Sequence, residues 1–136
     1  MSQRVLIVDD EEDARLMISA VAMSAGLTVV EAVDGREAID ILTTDADFAL
    51  IISDKMMPRV DGNEVIRFIR HDDRLKDIPI IFSTADRTTQ ALGGVLPDEK
   101  THFVNKASGV ENMRLGIMRA LGYDPDDKTT REMPAA

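Results

Sequence analysis

The sequence predicts a single α/β domain built on a five-stranded parallel sheet with helices on both faces. Two observations predict it. Five short apolar runs, Val5–Val8, Leu27–Glu31, Phe48–Ser53, Ile78–Ser83 and Phe103–Asn105, alternate with segments of helical apolar spacing. Strand-helix alternation of this kind builds a parallel sheet through right-handed crossovers. In addition, the first run stops at Asp9-Asp10 and the third at Asp54, which precedes a turn bearing Pro58 and Gly62. An apolar run that ends on a carboxylate before a Pro/Gly break reads as a buried strand delivering an acid to the sheet edge.

The elements follow in order. Val5–Val8 is short and wholly apolar, as a strand covered on both faces must be. Ala14, Met17, Ile18, Val21 and Ala25 then recur at helical spacing, and Gly26 supplies a helix stop. Leu27–Glu31 is the second strand, and Ala38, Ile39 and Leu42 mark a shorter helix. After Phe48–Ser53, a helix carrying Val65, Ile66 and Ile69 opens behind the Pro58/Gly62 turn. Ile78–Ser83 and Phe103–Asn105 complete the sheet, and a last helix with Met113, Ile117 and Leu121 ends at Gly122. Five strands suggest the open doubly wound, flavodoxin-like form with order 2-1-3-4-5. The domain is expected over residues 1–122, with a polar, disordered tail over 123–136.

Length and composition narrow the function. The 136 residues suffice for one domain with a real core. A net charge of -9 argues against nonspecific binding to nucleic acid or anionic membranes through bulk charge. The absence of cysteine excludes disulfides, thiolate metal sites and a Cys nucleophile, and fits a cytoplasmic setting. No stretch is apolar enough for a signal peptide or a bilayer span. Four Phe, one Tyr and no Trp leave little material for stacking on bases or flavins.

Ligands of doubly wound sheets bind beyond the carboxyl ends of the strands, where the strand order reverses. Strands 1 and 3 flank that point, and they end in Asp9, Asp10 and Asp54. Three converging carboxylates repel one another, and a hard divalent cation relieves this. Mg2+ takes oxygen ligands and keeps several waters. Asp10 and Asp54 are the expected direct ligands, with Asp9 binding directly or through water and the Met56 backbone carbonyl as a further ligand. Taken alone, such acids also serve as solvated groups or helix caps.

Two more strand ends supply a hydroxyl, Thr84, and an ammonium, Lys106. Singly, these are ordinary strand-end and surface residues. Acid, metal, hydroxyl and ammonium together describe a phosphoryl-transfer pocket, in which catalysis is positioning and charge neutralisation. Asp54 would accept phosphate as an acyl phosphate. Lys106 would hold phosphoryl oxygens beside Mg2+, and Thr84 would donate to another.

The motifs Val8-Asp9-Asp10-Glu11, Asp54-Lys55-Met56-Met57-Pro58-Arg59-Val60-Asp61-Gly62, Ser83-Thr84-Ala85 and Asn105-Lys106 resemble those of receiver domains of bacterial two-component response regulators. The resemblance covers roughly residues 3 to 122. It implies that a phosphohistidine on a histidine kinase or histidine phosphotransfer protein donates to Asp54 with Mg2+ present. It also implies that the receiver assists both its own phosphorylation and dephosphorylation, without being a turnover enzyme. Thr84 matches the family's switch hydroxyl and Phe103 its switch aromatic, although Phe103 also suits a plain core position on an edge strand. Met56 and Asp86 occupy positions that tune phosphoryl lifetime in the family; Asp86 equally suits a helix N-cap.

The chain departs from the family pattern twice. Ala107 stands where family members usually carry Pro, often after a cis bond, which leaves the aim of Lys106 open. Between Asp86 and Thr101, Gly93-Gly94 and Pro97 interrupt a helix begun by Arg87–Leu92, so a short helix and an atypical output surface are expected. His71 and His102 read as structural, and Arg67, Arg70, Arg114 and Arg119 as solvated helix faces.

The leading expectation is a stand-alone receiver that signals by protein contact or passes its phosphoryl group onward. A degenerate receiver that binds partners without phosphorylation is the alternative. An aspartate-nucleophile phosphatase would need a general acid at position 56, where Met56 cannot transfer protons. A flavin carrier would need a phosphate-cradling loop where Asp9-Asp10-Glu11-Glu12 stands.

Overall fold

The computed structural model describes residues 3–54, 62–84, 100–105 and 109–122. Its elements run β1 (Arg4–Val8), α1 (Glu12–Ser24), β2 (Thr28–Ala32), α2 (Gly35–Thr44), β3 (Leu50–Asp54), α3 (Gly62–Arg70), β4 (Ile80–Thr84), β5 (Thr101–Asn105) and α4 (Val110–Ala120). All strand pairs are parallel, in the order β2-β1-β3-β4-β5. This is the expected doubly wound sheet. Residues 85–99, where an interrupted helix is expected, and residues 123–136 lie outside the described residues.

The strand boundaries differ from the apolar runs by at most two residues, for local reasons. β4 begins at Ile80, because Pro79 has no N–H to give the ladder; its carbonyl still accepts from Ile51 N at 3.0 Å. β3 begins at Leu50, because Phe48 N turns back onto the Ala46 carbonyl at 3.0 Å. β5 starts earlier than its apolar run, at Thr101, a polar residue that the sheet buries.

Strand alternation splits the core into two layers. Leu6, Val8, Ile51, Ile80 and Phe82 face α2 and α3, meeting Ala38, Leu42, Val65 and Ile69. Val5, Ile7, Leu50, Ile52 and Ile81 face α1 and α4, meeting Ile18, Val21, Met113 and Ile117. Both faces of β1 and β3 are therefore covered, which is why those strands read as unbroken apolar runs.

The helix ends behave as their chemistry requires. After α1, Gly26 adopts φ 88°, Leu27 N bonds the Ala22 carbonyl at 3.1 Å, and Gly26 N bonds the Met23 carbonyl at 3.0 Å. This paired closure needs a left-handed residue, which glycine supplies without a Cβ clash. α2 opens on Asp34, whose carboxylate accepts from Glu37 N at 2.8 Å, while Glu37 reaches back to Val33 N at 3.1 Å.

Arg70 corrects the expectation of a solvated helix face. Its Nη1 donates to the carbonyls of Lys76 and Ile78, both at 2.8 Å, and its Nη2 to the Lys100 carbonyl at 2.9 Å and Thr101 Oγ1 at 3.0 Å. A planar fork of donors at the end of α3 thus gathers the entries to β4 and β5. Arg114 pairs with Glu111 one turn away at 2.6 Å. Among the described residues, no helix is long and apolar enough to cross a membrane.

Candidate functional site

The strand order puts β1 beside β3, with Val8 opposite Ser53 in register. The next residue on each chain is an acid. Asp9 is fully buried and Asp54 is 5% exposed, whereas Asp10 and Glu11 are exposed at the rim. One carboxylate oxygen from each of Asp9, Asp10, Glu11 and Asp54 lies within 4.8 Å of the others. The three acids expected from the sequence converge, and Glu11 joins them.

Asp9 is fixed on several sides. Its N–H donates to the Ala32 carbonyl of β2 at 3.1 Å. Its Oδ1 accepts from Glu11 N at 2.9 Å, an Asx-type turn that bends the chain out of β1. Its carbonyl accepts from Arg15 Nη1 at 2.9 Å. Asp54 lies across from Ser83 of β4, whose buried Oγ has no hydrogen-bond partner among the described residues.

Carboxylates brought this close repel one another when ionised, and burial adds to the cost, so a cation bound among them would be favoured. The donor set is all carboxylate oxygen, the set that hard cations such as Mg2+ select. The residues present therefore fit the expected ion.

Other expected site residues are placed as follows. Phe103 lies on β5, half-buried, with its ring 5.6 Å from that of fully buried Phe82 and tilted by 37°. Thr84 closes β4, opposite Asn105. The Thr84 side chain and residues Met56, Asp86, Lys106 and Ala107 lie outside the described residues. His71 is exposed just past α3, and His102 sits half-buried within β5.

The sequence reading did not assign Glu11, Arg15 or Glu31 to the site. Glu11 stands in the Val8-Asp9-Asp10-Glu11 motif, which is its signal in the sequence. Arg15 is a lone cation just after Glu11, Glu12 and Asp13, and its Nε pairs with Glu31 of β2 at 3.1 Å.

The family model of the response regulator receiver domain matches residues 5–117. The chain belongs to this family. The receiver is 36% identical over 130 residues to response regulator MprA of Mycolicibacterium vanbaalenii, covering 93% of this chain and 54% of that protein. It is 28% identical over 102 residues to two-component response regulator ORR5 of Oryza sativa subsp. japonica, covering 75% of this chain and 76% of that protein. Among solved structures, it resembles chemotaxis response regulator CheY4 of Vibrio cholerae with a TM-score of 0.78 and 31% identity, covering 89% of this chain and 100% of that one. The receiver therefore spans about half the length of MprA and the whole of the CheY4 chain. Membership supports phosphorylation-controlled signalling as the class of function and an acidic Mg2+ site as its setting.

Proposed function

We propose that this receiver accepts a phosphoryl group on Asp54 from a phosphohistidine of a histidine kinase or histidine phosphotransfer protein. The observation that carries the reading is the convergence of buried Asp54 with Asp9, Asp10 and Glu11 within 4.8 Å, at the carboxyl ends of adjacent strands. An Asp54 carboxylate oxygen forms the new P–O bond. The P–N bond to the donor imidazole breaks, and its electron pair leaves with the ring nitrogen, which takes up a proton. Asp9, Asp10 and Asp54, with the Met56 carbonyl, would hold Mg2+, which would supply charge neutralisation for the phosphoryl oxygens. Lys106 holds phosphoryl oxygens as a point charge, and Thr84 donates a hydrogen bond to another.

The added phosphate brings about -1.5 to -2 charges and strong acceptor oxygens, enough to bias a two-state segment. Thr84 and Phe103 are the residues that report it, and Met56 and Asp86 set how long it lasts. The signal leaves by contact with a downstream protein or by onward phosphotransfer. The protein is a switch rather than a turnover enzyme.

Incubation with Mg2+ and acetyl phosphate, followed by intact-mass measurement, tests this. Gain of one phosphoryl group, lost with EDTA and in Asp54→Ala, is the expected result. No gain, together with no Mg2+-dependent response to beryllofluoride, would replace this reading with a phosphorylation-independent binding module.

A further inference from the structure

We propose that Arg15, braced by Glu31, is a positioning residue for the acidic cluster; this rests on the Mg2+ site argued above. Asp9 leaves β1 with its N–H still in the ladder to Ala32 and its carboxylate already bent onto Glu11 N. Its carbonyl points where no strand follows, and Arg15 Nη1 takes it at 2.9 Å. The same guanidinium is held from the other side by Glu31 Oε1, 3.1 Å from Nε. Glu31 stands in β2 beside Ile7 of β1, so the Arg15–Glu31 pair ties α1 to β2 across the end of β1. The Arg15 side chain is 17% exposed, so it is packed as well as paired. The turn that aims Asp9, Asp10 and Glu11 is thereby clamped at its first peptide.

A guanidinium near a cation site acts in two opposed ways. Its charge repels the ion, and its hydrogen bond orders the ligands. Glu31 decides between them. Paired with a carboxylate, Arg15 presents the site with a dipole rather than a net charge, and the repulsion falls off within a short distance. Ordering then dominates. Groups that orient metal ligands typically change affinity by about 10- to 100-fold when removed.

Calorimetric Mg2+ titration of the wild type, Arg15→Met, Arg15→Lys and Glu31→Gln tests the inference, with amide hydrogen exchange measured in EDTA. Arg15→Met is expected to weaken Mg2+ binding by roughly tenfold. Arg15→Lys recovers only part of this, because an ammonium lacks the fork that bonds both Glu31 and the Asp9 carbonyl. Glu31→Gln keeps an acceptor for Arg15 and weakens binding less than Arg15→Met. In metal-free Arg15→Met, the Glu11 amide exchanges faster while core amides of β1 and β3 keep their wild-type rates. Tighter Mg2+ binding in Arg15→Met would show that charge outweighs ordering and overturn the proposal. Unchanged Glu11 exchange would overturn it without reference to metal. A wild type that binds no Mg2+ and gains no phosphoryl group would instead overturn the site on which it rests.

Discussion

Gly116 of α4 packs so closely on Val104 of β5 that a Cβ at position 116 would lie 2.6 Å from Val104 Cγ2. Glycine inside a helix is otherwise unfavourable by up to about 1 kcal/mol relative to alanine. Here that cost permits close contact between helix and strand, two residues before Lys106. Valine is stiff at χ1, so it cannot swing its methyl aside cheaply. Gly116→Ala is therefore expected to destabilise the receiver by about 1–3 kcal/mol despite its better helix propensity. Urea unfolding measures this, and a stabilised variant would contradict it.

Arg70 gives a second prediction. Its fork supplies bonds to three carbonyls and to Thr101 Oγ1, spanning the entries to β4 and β5. Arg70→Met keeps much of the apolar stem and removes every donor, with an expected loss of about 2 kcal/mol. Arg70→Lys should restore little, because one ammonium cannot serve acceptors on both strand entries. Full recovery by lysine in denaturant unfolding would refute the clamp.

The acidic cluster gives opposite expectations with and without metal. Carboxylate oxygens within 4.8 Å repel each other by roughly 1 kcal/mol or more per charged pair. Asp10→Asn should therefore unfold at a higher temperature than the wild type in EDTA. Added Mg2+ should raise the wild-type midpoint, since a ligand of the folded state stabilises it, and raise that of Asp10→Asn far less. A scanning calorimeter separates the two arms. Equal Mg2+ gains in both proteins would remove Asp10 from the ligand set.

Acid sensitivity has a calculable sign at the opposite end of the sheet. Arg4 donates to Asp45 Oδ1 at 3.0 Å, and this bond holds the Asp45 carboxyl below its ordinary value, helped by the Asp47 amide. A carboxyl depressed in the folded state contributes stability that is complete above its unfolded pKa of about 3.9 and is lost as pH falls through the folded value. The difference in melting temperature between the wild type and Asp45→Asn should thus be constant near neutral pH and shrink below about pH 4. A difference that grows on acidification would reverse the assignment.

Much of the fold was legible because its signals are local. Val5–Val8 and Leu50–Ile52 announce covered strands by being apolar throughout, and Gly26 and Gly122 stop α1 and α4 as expected, at φ 88° and 90°. The acids at strand ends were legible for the same reason. Arg70 was misread as solvated, because its acceptors are backbone carbonyls and a hydroxyl up to 31 residues away, and nothing about residues 64–70 signals them. Arg15 is illegible for the same reason: its partners, the Asp9 carbonyl and the Glu31 carboxylate, meet it only once the chain turns out of β1 after Val8 and β2 lies alongside.

Chain chemistry alone determined the alternation of strands and helices, the two covered layers and the placing of Asp9, Asp10 and Asp54 at the ends of strands. Tertiary structure decided that Glu11 joins them, that Arg15 and Glu31 brace their turn, and that Gly116 lets α4 approach β5. Periodicity is written into neighbouring residues, whereas convergence within a few ångströms depends on the crossover that seats β3 beside β1.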